Sequence, residues 1–238
     1  IWACTWAHGE LLAGTAARDI TPDVEAYRVP MAGYGAREGK PSTGVHDPLF
    51  AKMLYLKDGD TVMALVTTDL RSTTPQLKAQ VIAKAEGLGL TRKNLMIAAS
   101  HNHSGPSLYP EEFWQLQFGE YDPAIVETMT DRIADGLKEA AASLSPARAG
   151  NAEKDLPAFT RNRRWSHNTA AREAAGETPA LSTRLWVMRI DTDSEVCAII
   201  TNYATHPTIL GADNFELSAE WPGALQDGIE AAFPGPVA

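Results

Sequence analysis

Two short apolar runs in this chain break off abruptly into polar loops that carry histidine, and no other feature constrains the fold as strongly. Asn94 to Ala99 ends in Ser100-His101-Asn102-His103-Ser104-Gly105-Pro106, and Val196 to Tyr203 ends in Thr205-His206-Pro207-Thr208. Runs of this length predict buried strands, and loops at strand ends can aim side chains without disturbing the core. If the extended geometry of the first run persists through Asn102, His101 and His103 point to the same side, because side chains alternate with period two. Such a pair can chelate one metal, or divide into one ligand and one proton carrier. A lone His is commonly a buried structural residue. Here, however, three of the six histidines fall on two strand-terminal loops, and a metal site needs ligands converging from separate elements.

The rest of the chain alternates strand and helix patterns. Leu11 to Ile20 predicts a strand running into Thr21-Pro22, and Gly33 to Gly44 a long polar loop. Asp58-Gly59-Asp60 between Ala51 to Leu56 and Val62 to Thr68 predicts a hairpin. Thr74-Pro75 starts a helix reaching about Gly87, and Asp122-Pro123 starts another with Ile125, Met129, Ile133 and Leu137 along one apolar face. Arg184 to Ile190 and Val196 to Tyr203 read as strands around a turn, and Glu220 to Phe233 as a final helix. The expected fold is α/β, with mixed α+β as the variant: a mixed sheet with flanking helices and a metal site on strand-end loops. No repeat, linker or domain boundary interrupts it.

Composition removes several classes of function. A formal charge of -9 disfavours a nucleic-acid partner, because neutralising phosphates needs clustered Lys and Arg. Cys4 and Cys197 are the only cysteines, too few for a disulfide framework or a Cys-rich zinc module, so a metal would have to use His, carboxylate or Tyr. No apolar run approaches the ~20 residues of a spanning helix. Ile1-Trp2-Ala3-Cys4 is either a frayed terminus or the remnant of an export signal. The second alternative implies a secreted or periplasmic protein, with Cys4 as the candidate lipid anchor.

His101-Asn102-His103-Ser104-Gly105-Pro106 resembles the His-Thr-His-Ser-Gly-Pro motif of neutral, non-lysosomal ceramidases. Other landmarks follow in the same order: Asp19-Ile20-Thr21, Met31-Ala32-Gly33-Tyr34, Gly44-Val45-His46 with Leu49-Phe50-Ala51, Thr68-Asp69-Leu70, Asn162-Arg163 and His206-Pro207-Thr208. The resemblance runs from about Gly14 to Phe233. It implies a Zn2+ cofactor held by His101 and His206, with His103 as general acid/base and Arg163 holding the substrate or its developing oxyanion.

The activity it implies is zinc-dependent hydrolysis of the N-acyl amide bond of ceramide or a related lipid amide, with peripheral membrane contact. The alternatives are a zinc hydrolase of a non-lipid amide or ester, and an inactive domain that binds lipid or glycan. The family also draws a Glu and a Tyr ligand from later sequence. Residues 11–238 are therefore expected to form an N-terminal metal-binding domain truncated at its C-terminal end, preceded by a disordered terminus or export-signal remnant at 1–10. The missing half, or a second chain, would complete the site; otherwise the third ligand must come from His46, Asp69 or Glu220.

Asp69 is expected to cap a turn or to support a ligand, His46 to sit in a turn or a pocket, and Trp165, Trp186 and Trp221 to pack. Two stretches depart from the family pattern, Ser107-Leu108-Tyr109-Pro110 and Ser218-Ala219-Glu220-Trp221-Pro222-Gly223. Both are expected where a substrate mouth would form.

Overall fold

The computed structural model describes residues 11–163, 165, 169–178, 181–193 and 195–233. Residues 1–10, including Cys4, lie outside the described residues, and so does the export-signal reading. The elements in chain order are β1 (Leu12–Asp19), β2 (Gly44–Val45), β3 (Phe50–Asp58), β4 (Thr61–Thr68), α1 (Pro75–Lys84), β5 (Leu95–Ala99), α2 (Glu112–Phe118) and α3 (Pro123–Ala142). After these come β6 (Ser145–Asp155), α4 (Thr169–Ala174), β7 (Arg184–Thr192), β8 (Val196–Tyr203), β9 (Glu216–Leu217) and α5 (Glu220–Ala232). The main sheet has seven strands in the order β5-β4-β3-β1-β6-β7-β8, and β2 pairs with β9 in a small parallel sheet. Only β4 and β5 run parallel in the main sheet, joined through α1, so the sheet is mixed as the sequence predicts.

The β3–β4 hairpin closes with Asp58 opposite Thr61, which makes Gly59-Asp60 the two-residue loop. Gly59 sits at φ 55, a left-handed conformation that favours glycine. Thr74 and Asp122 cap α1 and α3, accepting from the backbone N–H of Leu77 at 3.1 Å and of Ala124 at 2.8 Å. A proline follows each cap, where its missing N–H leaves no helix bond unmade. Ile125, Met129, Ile133 and Leu137 of α3 are all fully buried against the sheet, together with Met53, Tyr55 and Val66. At roughly 1.5–3 kcal/mol for each buried side chain, this face is the main anchor of the helix layer.

Beyond β1 the sheet changes character. Only Leu12 and Ala13 of β1 pair with β6, through Pro146 and Ser145. β6, β7 and β8 continue as an antiparallel ribbon whose first strand is exposed along most of its length. The ribbon curls back over the face opposite α3. Ala198 and Cys197 of β8 join Ala13, Leu54 and Ile190 in a second small core, and Cys197 Sγ lies 3.9 Å from Thr15 Oγ1. A cavity of about 240 Å³ remains between this curl, the ends of β4 and β5, and α5.

Candidate metal centre

β5 and β8 are the two edges of the seven-stranded sheet. In a flat sheet their ends would stand roughly 30 Å apart, at ~4.8 Å per strand. The curl closes that gap, and ligating nitrogens of His101, His103 and His206 all lie within 4.8 Å of one another. His101 and His206 stack with ring centroids 5.0 Å apart, and His103 meets His206 edge-on at 4.6 Å.

Alternation along a strand is not what brings His101 and His103 together. β5 stops at Ala99, and His101 takes a left-handed φ of 66, so the chain turns sharply between the two rings. Asn102 holds that turn, donating from Nδ2 to the Asp69 carbonyl at 2.8 Å and accepting from the Ser104 N–H at Oδ1 at 3.3 Å. Gly33, at φ 106, lies under the His103 ring, and a Cβ there would come 2.5 Å from His103 Cγ. Tyr34 packs edge-on against the same ring at 4.9 Å.

The three imidazoles differ in how they are held. His101 Nδ1 lies 2.7 Å from the Arg71 carbonyl, so it carries the hydrogen and leaves Nε2 as the free donor atom. An imidazole oriented in this way through its second nitrogen is the usual arrangement of a metal ligand. His103 Nδ1 is buried with no hydrogen-bond partner among the described residues, while its Nε2 faces His206 Nε2 at 3.0 Å. Across that contact one imidazole donates and the other accepts. Burial, then the facing His206 and His101, push the His103 pKa down to about 4. His206 is lowered as well, first by burial and then by His101 and Arg163. Imidazoles at this spacing are a donor set that could hold a borderline metal ion.

Arg163 is exposed, and its charge acts on both His206 and Tyr34, so it lies within electrostatic reach of the cluster; burial nevertheless raises the Tyr34 pKa, with the Arg163 charge opposing it. The three candidates for a third ligand are all engaged elsewhere. His46 is exposed and bonds Asp47 at 2.7 Å, in agreement with its turn reading. The Asp69 carboxylate accepts from the Phe50 N–H at 2.9 Å and from Gln226 at 3.0 Å, and among the described residues it bonds no histidine. Burial raises its pKa to about 6. Glu220 accepts from the backbone N–H groups of His103 and Ile209 at 3.1 and 2.8 Å, so both of its oxygens are engaged by the backbone.

The two stretches expected at a substrate mouth are mostly interior. Ser107, Leu108 and Tyr109 are buried, the last bonded to Arg71, and Ser218, Ala219 and Glu220 are buried, the first two bonded to Asp47. Among these residues Trp221 and Pro222 line the cavity. Arg37 has no counterpart in the sequence reading: its guanidinium is fully buried and donates to the His103 carbonyl at 2.6 Å. A basic residue in a Gly-rich loop carries no pattern that distinguishes it from a solvated charge.

Among the described residues, no helix is long and apolar enough to cross a membrane. The family described as "Neutral/alkaline non-lysosomal ceramidase, N-terminal" matches residues 11–234. A neutral ceramidase of Mycobacterium tuberculosis is 25% identical over 224 residues, covering 90% of this chain and 34% of that protein. The neutral ceramidase of Pseudomonas aeruginosa is 26% identical over 217 residues, covering 88% and 32%. The crystal structure of the Pseudomonas aeruginosa enzyme superimposes with a TM-score of 0.83 at 24% identity, over 98% of this chain and 38% of that one. The chain thus spans about a third of the length of the curated relatives it matches.

Proposed function

Since the chain belongs to the neutral/alkaline non-lysosomal ceramidase family, we propose that it supplies the histidine side of a zinc site that hydrolyses the N-acyl bond of ceramide or a related lipid amide. The products would be a sphingoid base and a fatty acid. The observation that carries this reading is the meeting of His101, His103 and His206 from opposite edges of one sheet. Zinc bound there would supply Lewis-acid activation of water and of the scissile carbonyl.

His101 and His206 are assigned as the ligands, and His103 as the proton carrier. Two features support the division: His101 has the carbonyl partner that orients a ligand, and His103 Nδ1 has none among the described residues. His103 faces the His101 and His206 rings at centroid distances of 5.3 and 4.6 Å, where a ring nitrogen can accept a proton and return it to the leaving amine. Arg163 brings a guanidinium to the same side, where it can stabilise negative charge on the carbonyl oxygen. The remaining ligands of a catalytic zinc would come from elsewhere in the same protein or from a second chain.

A second reading makes His103 a third ligand, because its nitrogen lies within the same 4.8 Å group. His103→Ala in the intact protein separates the two. Retained stoichiometric zinc with a ~10²–10⁴-fold loss of fluorescent-ceramide hydrolysis supports a proton carrier. Loss of zinc together with the rate makes it a ligand, and a zinc-loaded wild type that leaves ceramide intact removes the substrate assignment.

A further inference from the structure

The two histidine loops are joined by a pair of buried, oppositely charged side chains that do not bond each other. Among the described residues Arg37 donates to carbonyls only: Ala32 at 3.0 Å, His103 at 2.6 Å, Gly211 at 3.2 Å and Asn214 at 3.0 Å. Glu220 accepts from the other polarity of the same segments. Its Oε1 takes the His103 N–H and the Ser104 hydroxyl, each at 3.1 Å, and its Oε2 takes the N–H groups of Ile209 at 2.8 Å and Leu210 at 3.4 Å. His103 is therefore gripped by its N–H on one side and by its carbonyl on the other. The segment after His206 is gripped in the same way.

Burying a guanidinium and a carboxylate is costly unless nearly every donor and acceptor finds a partner. In this arrangement the partners are the backbone of the two loops that present the imidazoles. Glu220 also begins α5 at φ 55, a left-handed conformation that a non-glycine residue holds only where its surroundings over-determine it. Ser218 fixes that start, accepting from the Glu220 N–H at 2.9 Å while its hydroxyl donates to Asp47 at 2.5 Å.

We infer that Glu220 and Arg37 are positioning residues, a clamp that sets the spacing of the two histidine loops and through it the metal affinity of the site. The inference rests on the metal-centre reading above. Its test uses the intact protein as Glu220→Gln, with Arg37→Lys as a second variant should the first fail to fold. Gln offers one acceptor oxygen where two are used, and Lys keeps the charge but loses the planar fork.

Hydrogen exchange on the metal-free protein follows the amides of His103, Ile209 and Leu210, and a competition titration gives the Co2+ dissociation constant. The expected result is tenfold or faster exchange at these amides, unchanged exchange in α3, and Co2+ binding weakened ~10–100-fold. Unchanged exchange at both loops overturns the clamp. Loosened loops with full Co2+ affinity overturn its positioning role, and acceleration throughout α3 reduces the pair to general stability. A wild type that binds no Co2+ sinks the metal-centre reading, and the exchange data still decide whether the clamp exists.

Discussion

Strand β3 is buried on both faces from Ala51 to Tyr55, whereas β6, two positions away in the same sheet, is exposed along nearly all of its 11 residues. The helix-backed half carries His101 and His103 on a loop held by Asn102 and by backbone bonds from the Ser100 N–H to Thr68 and from the His101 N–H to Leu70. The ribbon of β6, β7 and β8 carries His206 and meets the rest through a two-residue pairing and a small core around Ile190. The site is thus assembled from one rigid wall and one lightly anchored arm. Its geometry depends on how firmly the arm is pinned, which places the burden on Arg37 and Glu220 and not on the sheet itself.

The contrast can be broken at the wall first. Leu137→Ala in α3 removes a fully buried side chain and should cost ~2–5 kcal/mol of unfolding free energy, the range for large-to-small changes in cores. Chemical denaturation measures it. A cost under about 1 kcal/mol would show that the helix layer is not the anchor described.

A smaller effect comes from Asp69, at the end of β4. Burial holds its pKa at about 6, so the folded protein keeps a proton that the unfolded chain releases near pH 4. Folding stability on its account is greatest below pH 4 and falls as pH rises from about 4 to 6, by on the order of 2–3 kcal/mol. Asp69→Asn removes that dependence. Relative to wild type, the variant should gain about that amount between pH 4 and pH 7 in paired denaturation curves, and a pH-independent difference would contradict the burial argument.

The smallest effect belongs to the arm. Arg184 and Glu153 form an exposed ion pair at 3.1 Å across β6 and β7, and Glu153→Ala should change stability by no more than about 0.5 kcal/mol. A larger loss would mean that the ribbon is held by its surface and not by its curl.

The same division explains what the sequence made legible. α3 was readable because Ile125, Met129, Ile133 and Leu137 recur at helical spacing, and the β3–β4 hairpin because two apolar runs flank a Gly turn. β6 was not, because Ser-Pro-Ala-Arg-Ala-Gly-Asn-Ala-Glu-Lys-Asp has no apolar face to alternate; it is a strand because β7 offers it hydrogen bonds. The short α2 was hidden likewise, since seven residues give too few turns for a period. At the site, the loops bearing His101, His103 and His206 could be read as strand ends. Their convergence could not, because it depends on a curl between edges of the sheet. Glu220 and Arg37 act on backbone atoms, which every residue carries, and so leave no pattern in side-chain chemistry.

Whether His101 and His206 share one zinc can be read from anomalous diffraction at the zinc edge, from crystals of the intact protein soaked in Zn2+. One strong peak is expected ~2.0–2.1 Å from His101 Nε2 and from a nitrogen of His206, with His103 within hydrogen-bond reach of the site but outside the ligand set. A peak away from these rings, or His101 and His206 in separate sites on opposite edges of the sheet, would contradict it.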